Sequence, residues 1–506
     1  MGTPIPPNKT VTLKAEIRTL SERPLFRGLA LVILLTASTR LEPLVSSVLD
    51  PDLWWHMRDG DSILAQHAFP NHGVFTQYVD RAWVAYSWGF EVIASRFYHW
   101  FGLIGLVGLR STVEVLITAS LFVILWRGLG SFWQAWPLAA AGMWAIHHCL
   151  ALQPMLFSIL MFTLELGLIF EARRQGKMRP LLFLPPLFLL WANLHIQFAY
   201  GIFVLGLLAA ASLVRAIFPS IWSDSPGPKH DLPLAQVLGV TAVSGVATLM
   251  TPYTWHLYGA IFSYMRSSVP FVIITELQAL NFRVPEHFAL VLIFAAGFFA
   301  LGWRRSRDPF QLALLVLSTI IAFRMTRDSW FACIPALAII ADRQVSVVEE
   351  GIGKRLPRFA FAVGTAMATF LMFLVVMWDS KVNNTTLNRA VAASFPVDAC
   401  AFVRAQALPG PIYNDMNWGG FLIWALPDQP VAIDNRTDLY GDEVLSRFYL
   451  VQTGARDWRS DSDLNAAQVV LLNRRIQLAN LLSQDERFHL IYQDAIADIF
   501  IRIPPH

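Results

Sequence analysis

Long apolar runs, each closed by a few polar or basic residues, set the rhythm of this chain from Gly28 to Met377. A hydrocarbon core of about 30 Å takes roughly 20 apolar residues in helical form. Eleven segments approach that length: 28–49, 101–126, 132–149, 154–170, 181–196, 198–214, 234–250, 288–301, 310–323, 329–341 and 359–377. Ahead of them, residues 1–27 are polar, basic and proline-containing. That stretch is too long for the charged leader of a signal peptide, and no small-residue cleavage pattern follows it. The pattern predicts a cytoplasmic tail and a first helix retained in the membrane. From residue 379 onward the segments are shorter and mixed. "PIYNDMNWGGFLIWALPDQPVAIDNRTDLYG" reads as strand, glycine turn, short helix, strand and helix. "AAQVVLLN" reads as a buried strand and "FHLIYQDAIADIFIRI" as a hairpin, which together predict a small α/β domain over 379–506.

Basic residues orient the spans. Arg127, then Arg173, Arg174, Lys177 and Arg179, then Arg215 and Lys229, then Arg304, Arg305 and Arg307, and finally Lys354, Arg355 and Arg358 fall in alternate loops. Cytoplasmic loops carry the excess of Lys and Arg, so the N-terminus is expected inside and the C-terminal domain outside. That sidedness places His230 inside and the other histidines, from His56 to His506, at or near the outer face. Composition agrees with a bilayer: 55% of residues are hydrophobic and 15% charged, where a soluble domain carries about 25% charged residues. Three cysteines, Cys149, Cys333 and Cys400, are too few and scattered for a disulfide framework. No nucleic-acid partner is expected.

Candidate chemistry gathers on the outer side, beginning with "VLDPDLWWHMRDGD" at the end of the first run. Asp50 followed by Pro51 is a helix start, with Asp52 near the positive end of the dipole. Capping alone would explain both acids. His56 lies four residues beyond Asp52 on the same helical face, and Asp59 a further turn away, a grouping that suits acid–base or metal chemistry at the lip of a bilayer. Residues 81–101 alternate Trp83, Trp88, Phe90, Ile93 and Phe97 with Arg81, Glu91 and Arg96, which predicts an amphipathic helix along the interface. Arg110 and Glu114 form an i, i+4 pair inside a span, where they either neutralise each other or face a cavity.

Asn193, His195 and Gln197, together with His256, are expected at outer helix ends. The spans flanking "FRMTRDSW" are short, so Arg324, Arg327 and Asp328 are expected below the headgroup plane. Cations at that depth suit a lipid phosphate; pairing with Asp328 or snorkelling are the plainer readings. Asp434 and Arg436 follow a strand end, as ligand contacts do in open sheets, or form a structural pair. The "NWGG" turn offers a weak anion site.

The motifs "DPDLWWHMRDGDSIL", "LLWANLHIQFAYG", "TPYTWHLY" and "NDMNWGGFLIWALPDQPVAIDNRTDLY" resemble a bacterial family of GT-C-like proteins. In layout nearly the whole chain resembles the GT-C superfamily of integral-membrane glycosyltransferases, which includes oligosaccharyltransferases, protein O-mannosyltransferases and the lipid A aminoarabinose transferases. The resemblance implies a polytopic helical protein of about eleven spans with a polyprenyl-phosphate-linked sugar donor. It implies a catalytic Asp in the first outer loop, 50–99, at Asp50 or Asp52, and a lipid-phosphate site at Arg324 and Arg327.

An expected mechanism follows. A carboxylate takes the acceptor's proton while cations, or Mg²⁺ or Mn²⁺ held by Asp50 and Asp52, stabilise the departing phosphate. Glu91, His195, His256, Asp434 and Arg436 are expected around the substrate cavity, with His56 beside the acids. The acceptor would be an envelope glycan, lipid or protein, reached from the cytoplasmic membrane of a bacterium. Two alternatives stay open: a transporter of lipid-linked saccharides, which should show mid-membrane polar groups and an internal repeat, and a catalytically inactive scaffold of the same fold.

Overall fold

The computed structural model describes residues 23–218, 232–303, 305–342 and 359–503. The tail before Arg23, together with Lys229, His230, Arg304, Lys354, Arg355, Arg358 and His506, lies outside the described residues.

Each of the eleven apolar segments contains a helix, though not every segment is helical throughout. In chain order the first third holds α1 (Pro24–Ser38), α2 (Pro51–Gln66), α3 (Trp88–Phe101), α4 (Leu103–Leu129), α5 (Phe132–Ala145) and α6 (Pro154–Gln175). Then come α7 (Leu184–Leu194), α8 (Phe198–Ile217), α9 (Leu234–Ala247), α10 (His256–Arg266), α11 (Pro285–Trp303), α12 (Pro309–Arg324), α13 (Trp330–Asp342) and α14 (Phe359–Asp379). Five of these, α4, α6, α8, α11 and α14, are long and apolar enough to cross a membrane by length and composition. The other apolar helices are shorter, because polar or proline-bearing turns interrupt them. The first run shows this: α1 stops at Ser38, and after Pro43 a separate 3-10 turn, Leu44–Val48, leads to Asp50.

Burial sorts the helices into layers. The glycine at Gly128 lets α4 close on α13, where a Cβ would stand 2.9 Å from the Ala341 carbonyl carbon. The side chains of α13 are buried almost throughout, and α4 and α6 pack beside it. At the periphery, α14 leaves large apolar groups uncovered, among them Phe359, Phe370 and Trp378. Apolar surface of that extent is what lipid covers.

The C-terminal part contains α15 (Asn384–Ser394), α16 (Val397–Ala405), β1 (Ile412–Asn414), α17 (Met416–Ala425), α18 (Thr437–Gln452), β2 (Val469–Asn473), β3 (Phe488–Gln493) and β4 (Ala497–Arg502). The strands form one sheet in the order β1-β2-β4-β3, with β1 parallel to β2 and the other pairs antiparallel. The expected hairpin is β3–β4 and the buried strand is β2.

Two expectations differ. The "NWGG" glycines sit inside α17 rather than in a turn, and they serve close packing: a Cβ on Gly420 would lie 2.4 Å from the Pro51 carbonyl oxygen, and one on Gly419 2.1 Å from that of Ile433. The "VAID" segment is not a strand but makes isolated bridges from Val431 to Thr76 and to Ile412. Asn414 is the reason. Its side chain accepts from the Ala432 and Ile433 amides at 3.0 and 3.3 Å and donates to the Ile433 carbonyl at 2.7 Å, ending the backbone pairing that runs as far as the Ala432 amide and the Ile412 carbonyl.

These contacts set the stage for the site. The paired helices α2 and α3 lie between α4 on one side and α17 on the other. The segment between α2 and α3 is stitched to the C-terminal part: the Gln77 amide donates to the Val431 carbonyl, the Val431 amide to that of Phe75, and Arg81 to that of Tyr440.

Candidate active site

The site begins at the first turn of α2. Asp50 caps the helix, its Oδ1 accepting from the Asp52 amide at 2.9 Å, and its Oδ2 accepts from Gln153 Nε2 at 2.6 Å. Both of its oxygens are engaged. Asp52 Oδ1 accepts from the Trp55 indole at 3.2 Å, while its Oδ2 has no hydrogen bond and is not sealed from solvent. Burial and the neighbouring Glu276 push the Asp50 carboxyl up to about 6. Burial and Asp50 hold Asp52 well above the usual carboxylate range.

One turn on, His56 is buried with its ring against Trp55, centroids 3.6 Å apart, and Nδ1 is 3.1 Å from Glu91 Oε1. Burial, with His195, Arg436 and Arg327, holds the imidazole well below its ordinary value. Glu91 does not face solvent on an interfacial helix as the alternation suggests. It is fully buried beside Asp59, because Gly60 lets α2 press onto the α3 backbone. Burial raises both carboxyls. Arg436 reaches this cluster from the C-terminal part. Its guanidinium binds Asp434 through Nε and Nη2 at 2.9 and 2.7 Å, donates to the Val74 carbonyl and lies over the Trp55 and Trp83 rings. Asp434 also accepts from Tyr440. The pair is thus structural and at the same time a wall of the site.

Across from Asp50 stands Arg327. It pairs with Glu276 at 2.9 Å rather than with Asp328, which is held by Gln197 and Tyr200. Its Nε has no partner. Tyr86 lies within electrostatic reach of Asp438, Tyr264, Arg327 and Asp52, and its ring is 6.3 Å from that of His195. Burial pushes Asp438 up to about 6. Asp50, Asp52, Tyr86, Tyr264, Glu276, Arg327 and Asp438 are all partly exposed and are linked as electrostatic neighbours. This cluster, termed the chamber, holds four carboxyl groups, two phenols and one guanidinium.

Other expected residues are placed differently. His195 is buried at the mouth of α7, its Nδ1 2.8 Å from Ser158 Oγ. His256 is exposed at the start of α10, stacked on Trp255, and none of the chamber groups is its partner. Arg324 is exposed over the Phe271 ring and lines a separate groove of about 440 Å³ with Ser267, Ser268 and Gln278. The chamber residues with no signal in the sequence are Tyr86, Tyr264, Glu276 and Asp438; Gln153, which holds Asp50, has none either, and each is placed by tertiary packing alone. Among the described residues no group of three or more His, Cys, Asp or Glu side chains could hold a metal ion.

The fold and this chamber define a membrane protein of GT-C-like fold. No family model matches the sequence, and no curated protein matches it. Among the solved structures that match in fold are two proteins bound to lipid phosphates. The archaeal oligosaccharyltransferase AglB from Archaeoglobus fulgidus, in complex with an inhibitory peptide and a dolichol-phosphate, aligns with a TM-score of 0.51 and 13% identity over 88% of this chain and 69% of that one. ArnT from Cupriavidus metallidurans, bound to undecaprenyl phosphate, aligns with a TM-score of 0.50 and 14% identity over 95% of this chain and 98% of that one. Both are GT-C proteins, so the resemblance seen in the motifs holds for the fold.

Proposed function

We propose that this protein is a glycosyltransferase that moves a sugar from a polyprenyl-phosphate donor to an envelope acceptor at the outer face of a bacterial cytoplasmic membrane. In this reading all eleven apolar helices span, the N-terminus is inside and the C-terminal domain outside. One observation carries it: an open carboxylate oxygen, Asp52 Oδ2, shares a chamber with Arg327 in a GT-C-like fold. The dolichol-phosphate on AglB and the undecaprenyl phosphate on ArnT support the donor class.

The chemistry follows from the placement. The donor's phosphate takes Arg327 from Glu276, a charged partner exchanged for another. The acceptor hydroxyl or amine attacks the anomeric carbon and loses its proton to Asp52. The bond from that carbon to the phosphate oxygen breaks, and its electron pair leaves with the polyprenyl phosphate, whose charge Arg327 meets. Asp50 holds the first turn of α2 and, through it, Asp52.

The test is release of polyprenyl phosphate from a panel of labelled donors, with envelope extract as acceptor, by the intact protein in lipid nanodiscs. Wild type should release it and Asp52→Asn should not. Arg327→Gln should lose donor affinity while Arg324→Gln keeps it. Release that survives Asp52→Asn removes the proposed base. Donor transport across the bilayer without cleavage would favour the transporter instead.

A further inference from the structure

Glu91 and Asp59 take no part in the reaction above, yet they are 0% and 1% exposed. Glu91 Oε2 and both Asp59 carboxyl oxygens are sealed from solvent with no hydrogen-bond partner outside the pair. Two carboxylates buried side by side cannot both stay charged. The pair therefore holds at least one proton, and Arg436 lies within electrostatic reach of both acids. Glu91 Oε1 is then free to accept the Nδ1 proton of His56 at 3.1 Å. A hydrogen bond at one imidazole nitrogen fixes the state of the other, so Nε2 is left bare. Among the described residues that nitrogen has no hydrogen-bond partner, and the residue as a whole is 4% exposed. The ring itself is clamped between Trp55 and Phe90.

We propose that Glu91, backed by Asp59, is a positioning residue that holds His56 as an acceptor-only imidazole, and that His56 Nε2 binds a hydroxyl of the sugar being transferred. The role of the hydroxyl rests on the transferase reading; the state of the ring does not. A site that offers a bare acceptor selects substrates with a hydroxyl there and rejects the deoxy analogue, because the acceptor would be left unpaired. The cluster needs Arg436 as well, so the outer domain contributes to sugar recognition through charge rather than by contact.

Two measurements on the full-length protein in nanodiscs test this. The first is ¹⁵N NMR of histidine-labelled protein, with His56 identified by its loss in His56→Asn. The expected result is a neutral ring protonated at Nδ1 that does not titrate across neutral pH. Glu91→Gln, whose amide can donate instead, should remove that single form, and Asp59→Asn, which leaves the Glu91 contact, should keep it. A wild-type ring protonated at Nε2, or one that titrates like an exposed histidine, overturns the proposal whether or not any donor is turned over. The second compares a synthetic decaprenyl-phosphate hexose with its singly deoxygenated forms. One deoxy form should lose on the order of tenfold or more in kcat/KM with wild type, and Glu91→Gln should flatten that difference. Equal discrimination by the two enzymes overturns the hydroxyl contact.

Discussion

Arg436 joins the two halves of the site, and replacing it is the sharpest test of that junction. It is 2% exposed and its partner Asp434 is 0% exposed. In Arg436→Met the side chain still covers Trp55 and Trp83, but three hydrogen bonds vanish: two to Asp434 and one to the Val74 carbonyl. Asp434 keeps only the Tyr440 hydroxyl at 2.7 Å and the backbone amide of residue 436 at 2.9 Å. Breaking a buried pair by removing one member costs about 3–5 kcal/mol, because the other charge stays buried without compensation. Removing both charges together is close to neutral. At about 1.4 kcal/mol per decade, the single variant should open the junction on the order of a hundredfold to a thousandfold more often. Hydrogen exchange of the amides in β1, α17 and the segment from Val431 to Tyr440 measures this in the intact protein. Asp434→Asn with Arg436→Met should restore most of the protection. Protection within a few-fold of wild type in Arg436→Met, or no recovery in the double variant, would refute the assignment of this pair as the tie between outer loop and C-terminal domain.

Further outcomes follow from other contacts. In Gly420→Ala the new methyl meets the Pro51 carbonyl at 2.4 Å, which should cost about 1–3 kcal/mol and displace the turn that carries Asp52; donor turnover and the melting temperature should fall together. Asp415 caps α17 through the Asn417 amide while burial lifts its carboxyl from 3.8 to about 6. The folded state therefore holds this proton more tightly than the unfolded chain, and stability falls as pH rises through that window. Asp415→Asn keeps the cap, so it should flatten that part of the stability–pH curve and be no less stable than wild type above it. In the proposed reaction Asp52 and Arg327 carry the proton and the charge, so a chelator should leave polyprenyl-phosphate release unchanged; a loss restored by Mg²⁺ or Mn²⁺ would instead place a metal ion at Asp50 and Asp52.

Local signals in the sequence were legible where neighbours along the chain decide the structure. Asp50-Pro51 predicts the start of α2, and the observed cap is that prediction in atoms. The apolar runs predict where the helices lie, though not that α1 ends at Ser38. What the sequence hides is set by distant partners. Glu91 reads as the polar face of an interfacial helix, and only the approach of Gly60 to its backbone turns it inward toward Asp59. "VAID" has the composition of a strand, but its backbone pairing stops after Ala432, where the Asn414 side chain takes over. Arg324 and Arg327 are equivalent by composition and spacing. The helix end separates them, leaving one over Phe271 in an outer groove and the other paired with Glu276 inside.

That separation bears on how the chamber stays poised. With four carboxyl groups around one guanidinium, a second anion can enter only by exchange. Glu276 already occupies Arg327, and it is also the neighbouring charge that most raises Asp50. A donor phosphate that replaces Glu276 on Arg327 leaves the charge next to that guanidinium unchanged. The electrostatic conditions that raise Asp50 and Asp52 in the ligand-free protein are then largely those of the loaded one, and the acids need no rearrangement when the donor binds. A base held in advance in that state needs little reorganisation at the moment of transfer, which is where electrostatic catalysis gains most. On the proposed reading, Glu276 is the occupant of the phosphate position before the donor arrives.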